Sequence, residues 1–165
     1  MFIQDVQQTA TQAPTAGGRT ARRVLVAFDG SAGAWAALAR AIDIALSSHA
    51  PLTIAAVVEE PRFLWQGPGP MSVACTRESI RRDLEREMLR HLANARDEVP
   101  AALSVTTQLL RGRAARALAQ LAEKGGYDLI VTGPRAEGRF RRLRGGVTHG
   151  LLSHGHTSVL AVKAP

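Results

Sequence analysis

Aromatic residues make up only 4% of this 165-residue chain, and cysteine occurs once, at Cys75. A single cysteine excludes an internal disulfide, so a reducing compartment is the simpler setting. Nothing near Cys75 in sequence activates its thiol, and a small, partly buried apolar role is expected for it. The scarcity of aromatics speaks against a base-stacking surface for nucleic acid. No apolar run approaches the roughly 20 residues of a membrane span. The first residues lack a basic start followed by an apolar core, so no secretory signal is expected. Paired carboxylates suited to acid–base chemistry are missing too, and Ser31 has no base beside it in sequence. These absences point to a cytoplasmic protein with no membrane partner, in which nothing nominates a catalytic residue.

What is present is ordinary for one soluble domain: 45% apolar and 21% charged residues. The net charge is +7, carried by arginine more than lysine. A basic balance favours nucleotides, nucleic acid or acidic surfaces as partners. No predicted helix concentrates it into a basic stripe, so direct nucleic-acid binding is the weaker expectation. His149, His154 and His156 stand at spacings that share no helix face, and no cysteine or acidic residue lies beside them; a metal site is not expected.

Residues 1–20, rich in Gln, Thr, Ala and Gly, read as a disordered tail, and residues 21–165 as one α/β domain. Val24-Leu25-Val26-Ala27-Phe28 is a continuous apolar run, the mark of a strand covered on both faces. Asp29-Gly30-Ser31 breaks it, and either Asp29 or Ser31 can cap the following helix. That helix carries Trp35, Leu38, Ile42, Ala45 and Leu46 at spacings of three and four, and ends before Pro51. Leu52–Val58 is a second strand, and Glu59–Pro70 a loop containing Trp65. Ile80, Leu84, Met88, Leu92 and Ala95 form the apolar stripe of a second helix. Leu103–Leu110 is a third strand, Ala114–Lys124 a helix stopped by Gly125-Gly126, and Asp128–Thr132 a fourth strand. Val147–His154 is a short helix and Ser158–Val162 a fifth strand. Alternating strands and helices imply right-handed crossovers and a parallel sheet with helices on both faces. Ligands of such sheets sit beyond the carboxyl ends of the strands, where strand order reverses.

The segment after the fourth strand fits that place. Leu129-Ile130-Val131-Thr132-Gly133 runs into a loop holding Arg135, Arg139, Arg141, Arg142 and Arg144, which closes on Gly145-Gly146 before the short helix. Glycine-loop amides and a helix start together favour anions, and guanidinium groups bind phosphate in bidentate fashion. A solvated loop is the plain alternative for these arginines. Gly133 and Gly138 also have the spacing of a P-loop's glycines, but Arg139-Phe140 stands where Lys-(Ser/Thr) is required, which speaks strongly against that motif.

Five segments, in order, resemble the universal stress protein family. They are Arg23–Ser31 with its Asp-Gly-Ser turn, Leu52–Pro61, Arg111-Gly112-Arg113-Ala114-Ala115, Tyr127–Gly133, and Val159–Val162. The resemblance implies a doubly wound α/β fold, a five-stranded parallel sheet of order 3-2-1-4-5, and usually a homodimer. It divides two ways: one group binds ATP through Gly-x2-Gly-x9-Gly-(Ser/Thr) after the fourth strand, and the other lacks that motif. Here Gly133 fits the first glycine and Ala136 occupies the second. Gly146 fits the third, with Val147 in the hydroxyl place and Thr148 one residue late. An alignment from the last strand instead makes Gly145 the third glycine. Alanine in a left-handed conformation costs about 1 kcal/mol or more. A lost hydroxyl removes roughly 0.5–1.5 kcal/mol.

Carried over residue by residue, the resemblance nominates Ala27, Phe28, Asp29, Val57 and Gly112 as nucleotide-binding residues. Around the loop it adds Thr132, Gly133, Arg135, Ala136, Gly145, Gly146, Val147 and Thr148. Asp29 matches an aspartate at the adenine end, and Val57 a residue whose backbone meets adenine; their structural roles are helix capping and core. The implied protein is a stress-response regulator that binds ATP, with Mg²⁺, or another adenine nucleotide weakly, and is at most a slow ATPase. Its implied partners are a second copy, paired through Ser158–Val162, and other proteins. A dimeric interaction module without nucleotide is the alternative.

Overall fold

The computed structural model describes residues 21–59, 70–133, 147–154 and 156–163, with the backbone alone for 70–77 and 154. Trp65 and the segments 1–20 and 134–146 lie outside the described residues. In chain order the elements are β1 (Val24–Ala27), α1 (Ala32–Ser48), β2 (Leu52–Val58), α2 (Pro70–Asp97), β3 (Val105–Arg111), α3 (Ala114–Gly125), β4 (Leu129–Thr132), α4 (Val147–His154) and β5 (Ser158–Ala161). The strands form one sheet in the order β3-β2-β1-β4-β5, every pair parallel. This is the expected doubly wound arrangement.

Alternation along β1 builds two cores. Val24, Val26 and Phe28 face α1 and α2, where they meet Leu38, Leu52, Ile54 and Leu92. Leu25 faces the other way, toward Leu118, Ile130 and Leu151, on the side of α3 and α4. Period two sends neighbouring side chains to opposite faces, so a strand clad on both sides needs an unbroken apolar run. Each fully buried leucine or valine contributes about 1.5–3 kcal/mol.

Helix α1 buries Ala34, Ala37, Leu38, Ala41 and Ala45, an alanine-rich face, while Leu46 is exposed. The expected stripe was rotated slightly, because alanines rather than the larger residues lie nearest the strands. The small face lets the helix approach the sheet closely. Phe28 and Trp35 meet edge to face with centroids 4.9 Å apart. Helix α2 extends back to Pro70, a residue suited to a first helical position because it lacks the N–H that would go unpaired there. At α3 the chain stops as the sequence indicates, with Gly126 left-handed at φ 64°.

At the amino ends of the strands, the Asp128 carboxylate accepts from the backbone N–H of Arg22 at 2.8 Å and of Arg23 at 3.0 Å. Arg23 lies over the Tyr127 ring, 4.8 Å from its centroid, and also donates to the Gly125 carbonyl. The buried Tyr127 hydroxyl pairs with Thr53 at 2.8 Å. These contacts fasten β1 to β4, and the Tyr127 hydroxyl ties the start of β4 to β2.

Candidate functional site

Strand order reverses between β1 and β4, and at their carboxyl ends the structure holds a cleft of about 290 Å³. Ala27, Phe28, Asp29, Val57, Thr132, Gly133, Val147 and Thr148 all line it. Ser31, Ala34, Ala55, Ala114 and Leu118 complete the lining. A larger cavity of about 380 Å³ opens at the opposite end, between the start of β5 and the end of α3. The smaller cleft is the functional candidate, because it lies at the switch point of a parallel sheet, where crevices are left outside the strand ends.

The turn after β1 builds one side. Gly30 is left-handed at φ 78°, and a Cβ there would stand 2.6 Å from His91 Nδ1 of α2. Glycine therefore serves both conformation and space at this turn. The Asp29 carboxylate accepts from the Ser31 N–H at 3.0 Å, and Ser31 Oγ accepts from the Ala34 N–H at 3.2 Å. The capping question left by the sequence resolves to Ser31, with Asp29 bracing the turn. Asp29 is exposed and lines the cleft.

The β2–β3 side is built differently. Arg113 occupies the N-cap position of α3 without a side-chain bond to the helix. Glu59, just past β2, supplies the bond instead: its Oε1 accepts from the Ala114 N–H at 3.0 Å. A carboxylate of the chain's own thus sits where a helix start favours negative charge. Gly112, with φ 110°, donates its N–H to the Val58 carbonyl at 3.0 Å and lies in the turn before α3, outside the cleft lining.

On the β4 side, Gly133 packs directly on α1; a Cβ there would overlap the Gly33 carbonyl. Thr132 is 2% exposed, and its hydroxyl lies 2.9 Å from that of Thr148 on α4. Arg135, Ala136, Gly145 and Gly146 fall outside the described residues. Ser31, Ala34, Ala55, Ala114 and Leu118 line the cleft without being nominated by the sequence, and Glu59 supports it from outside the lining. Ser31 had been explained by capping. Ala114 lay inside a quoted motif without being nominated. Nothing local connects Glu59 to a helix 55 residues on.

His149 and His156 are exposed, and no cluster of three or more metal-ligating side chains occurs among the described residues. No helix among them is long and apolar enough to cross a membrane.

The fold is that of a doubly wound α/β protein with a crevice at the β1/β4 switch point. Within that class the assignment is specific: the chain belongs to the universal stress protein family, which it matches over residues 20–163. The stress response protein NhaX of Bacillus subtilis (strain 168) is 29% identical, over 87% of this chain and 98% of that protein. A solved universal stress protein in complex with cAMP is 26% identical, with a TM-score of 0.62, covering 88% of this chain and 99% of that one. The hypothetical protein MJ0577 has the same fold at 20% identity, with a TM-score of 0.72, over 88% of this chain and 98% of that one.

Proposed function

We propose that this universal stress protein is a cytoplasmic stress-response regulator whose β1/β4 cleft binds an adenine nucleotide. The observation that carries the reading is the convergence of Ala27, Phe28, Asp29, Val57, Thr132, Gly133, Val147 and Thr148 on one crevice. They were nominated from separate stretches of sequence. The cleft has an apolar floor of Ala27, Ala55, Val57 and Leu118, suited to a flat purine, with a carboxylate and hydroxyls at its edges. A relative of the same family, 26% identical, was solved with cAMP. ATP with Mg²⁺ is the finer form of the reading. The motif departures at Ala136 and Val147 weaken a triphosphate by about one to three orders of magnitude, at 1.4 kcal/mol per factor of ten. The role is regulation rather than turnover: Ser31 Oγ is engaged in capping α1.

Titration calorimetry with AMP, cAMP and ATP plus Mg²⁺ tests this. Heat and a thermal upshift at millimolar nucleotide are expected. Their absence for all three nucleotides places the protein among the members that bind none, acting through protein contacts alone.

We also propose a homodimer paired through β5. The strand is a sheet edge with Ser158 and Ala161 exposed, and proteins normally cover such edges. Leu160→Glu is expected to halve the mass measured by light scattering. An unchanged mass argues against pairing there.

A further inference from the structure

We propose that Thr132 is a buried positioning residue that aims the hydroxyl proton of Thr148 into the cleft, at an oxygen of the bound nucleotide. The proposal rests on the nucleotide reading above and specifies one contact within it.

The argument is a count of protons. Two hydroxyls 2.9 Å apart share one hydrogen bond and carry two protons, so one proton is left over. Distance alone does not say which oxygen donates. Burial does. Thr132 is 2% exposed, and Thr148 is its one side-chain hydrogen-bond partner among the described residues. A buried O–H without an acceptor is costly, and Thr148 Oγ1 is the acceptor within reach. Thr148 is half-buried and lines the cleft, so its own proton has somewhere else to go. The favoured arrangement has Thr132 donating, Thr148 accepting, and the Thr148 proton directed away from Thr132.

Thr132 is in no position to turn aside. Its carbonyl accepts from the Val162 N–H at 2.8 Å, continuing the β4–β5 ladder past its last pair. Its β-branched side chain has restricted rotamers. An O–H that accepts one bond also becomes a better donor. Among the described residues, the cleft lining carries side-chain oxygens besides Thr132 and Thr148 only at Asp29 and Ser31. The Asp29 carboxylate accepts from the Ser31 N–H and Ser31 Oγ from the Ala34 N–H, bonds internal to the turn after β1. A ligand oxygen entering the cleft, phosphoryl or ribose, takes this proton in place of solvent.

Calorimetry with AMP and with adenosine, on the full chain, tests the proposal. Thr148→Val is expected to weaken AMP about three- to tenfold, the effect of one lost hydrogen bond. Thr132→Val is expected to weaken it by the same factor while its melting temperature stays at or above that of the parent. The double variant should bind no worse than either single one, since both remove the same contact. Thr132→Ser, which keeps the hydroxyl, should bind like the parent. Weakening of AMP alone assigns the contact to a phosphoryl oxygen; equal weakening of adenosine assigns it to the sugar. If Thr148→Val binds AMP like the parent, the proposal falls, and this arm stands even if Thr132→Val fails to fold. Additive losses, or normal binding by Thr132→Val, also overturn it. In those cases the nucleotide reading survives. A parent protein that binds neither AMP nor adenosine removes the reading and this contact together.

Discussion

At the amino end of β4, the Asp128 carboxylate ties down two backbone N–H groups, and the Tyr127 hydroxyl is matched with Thr53 inside the core. At the carboxyl end, four residues on, Thr132 meets Thr148 at the wall of an open crevice. Both ends use a polar pair beside an apolar core. Below, the partners are all supplied by the fold and their hydrogen bonds hold strands together. Above, the pair leaves a donor over, and a cleft of about 290 Å³ for a ligand to enter. On the proposed reading, one strand separates stability from binding by about four residues of length, and substitutions at its two ends are expected to read out on different measurements.

The largest expected effect breaks that separation. Gly133→Ala pushes a methyl group into the Gly33 carbonyl, so β4 and α1 must move apart. A loss of about 3 kcal/mol or more is expected in chemical denaturation, together with loss of nucleotide binding. A variant as stable as the parent would show that α1 is not seated on β4 as described.

Next comes Asp128→Ala, which removes the bonds to the solvent-exposed Arg22 and Arg23 N–H groups and is expected to cost about 1–2 kcal/mol without changing nucleotide affinity. Its pH dependence sharpens the comparison. Partial burial alone would raise the Asp128 carboxyl, but the bonds from Arg22 and Arg23 outweigh it and hold it below the ordinary carboxylate value of 3.8. A folded value below the unfolded one means the native state binds the proton less readily. The stabilisation is therefore complete above the unfolded value and is lost as pH falls through the folded one. Acid unfolding below about pH 4 should be less steep in Asp128→Asn than in the parent. Parallel acid limbs would remove Asp128 from the account.

Tyr127→Phe leaves the buried Thr53 hydroxyl without its partner and is expected to cost about 1 kcal/mol, again with binding intact. The smallest effect belongs to the surface of α2. There Arg82 reaches Glu78 at 2.8 Å, both well exposed, and Arg82→Ala is expected to change stability by less than about 0.5 kcal/mol.

Much of this was legible in the sequence, for physical reasons. Val24–Val26 and Leu52–Ala56 are buried on both faces, so their unbroken apolar runs announced a parallel sheet. Gly125-Gly126 announced the end of α3 because a left-handed cap favours glycine. The alanine face of α1 was less legible, since a stripe drawn through the large residues took in Leu46, which is exposed. The start of α2 was hidden by Pro70, which reads as loop unless it is a first helical residue. Around the cleft, the strand-end residues that line it are legible as strand ends because they close recognisable apolar runs. Glu59 on Ala114 and Thr132 on Thr148 are not legible, since each pairing joins elements that only the fold brings together.

Gly133 carries a wider consequence. As the first glycine of a nucleotide signature, it would be counted as evidence for a ligand. Yet its missing side chain is already demanded by the Gly33 carbonyl of α1, with no ligand in the account. A signature scan that scores this position is partly measuring how tightly a helix sits on a sheet. In diagnostic terms, Gly133 discriminates between architectures, and ligands have to be discriminated at positions that packing leaves free to vary.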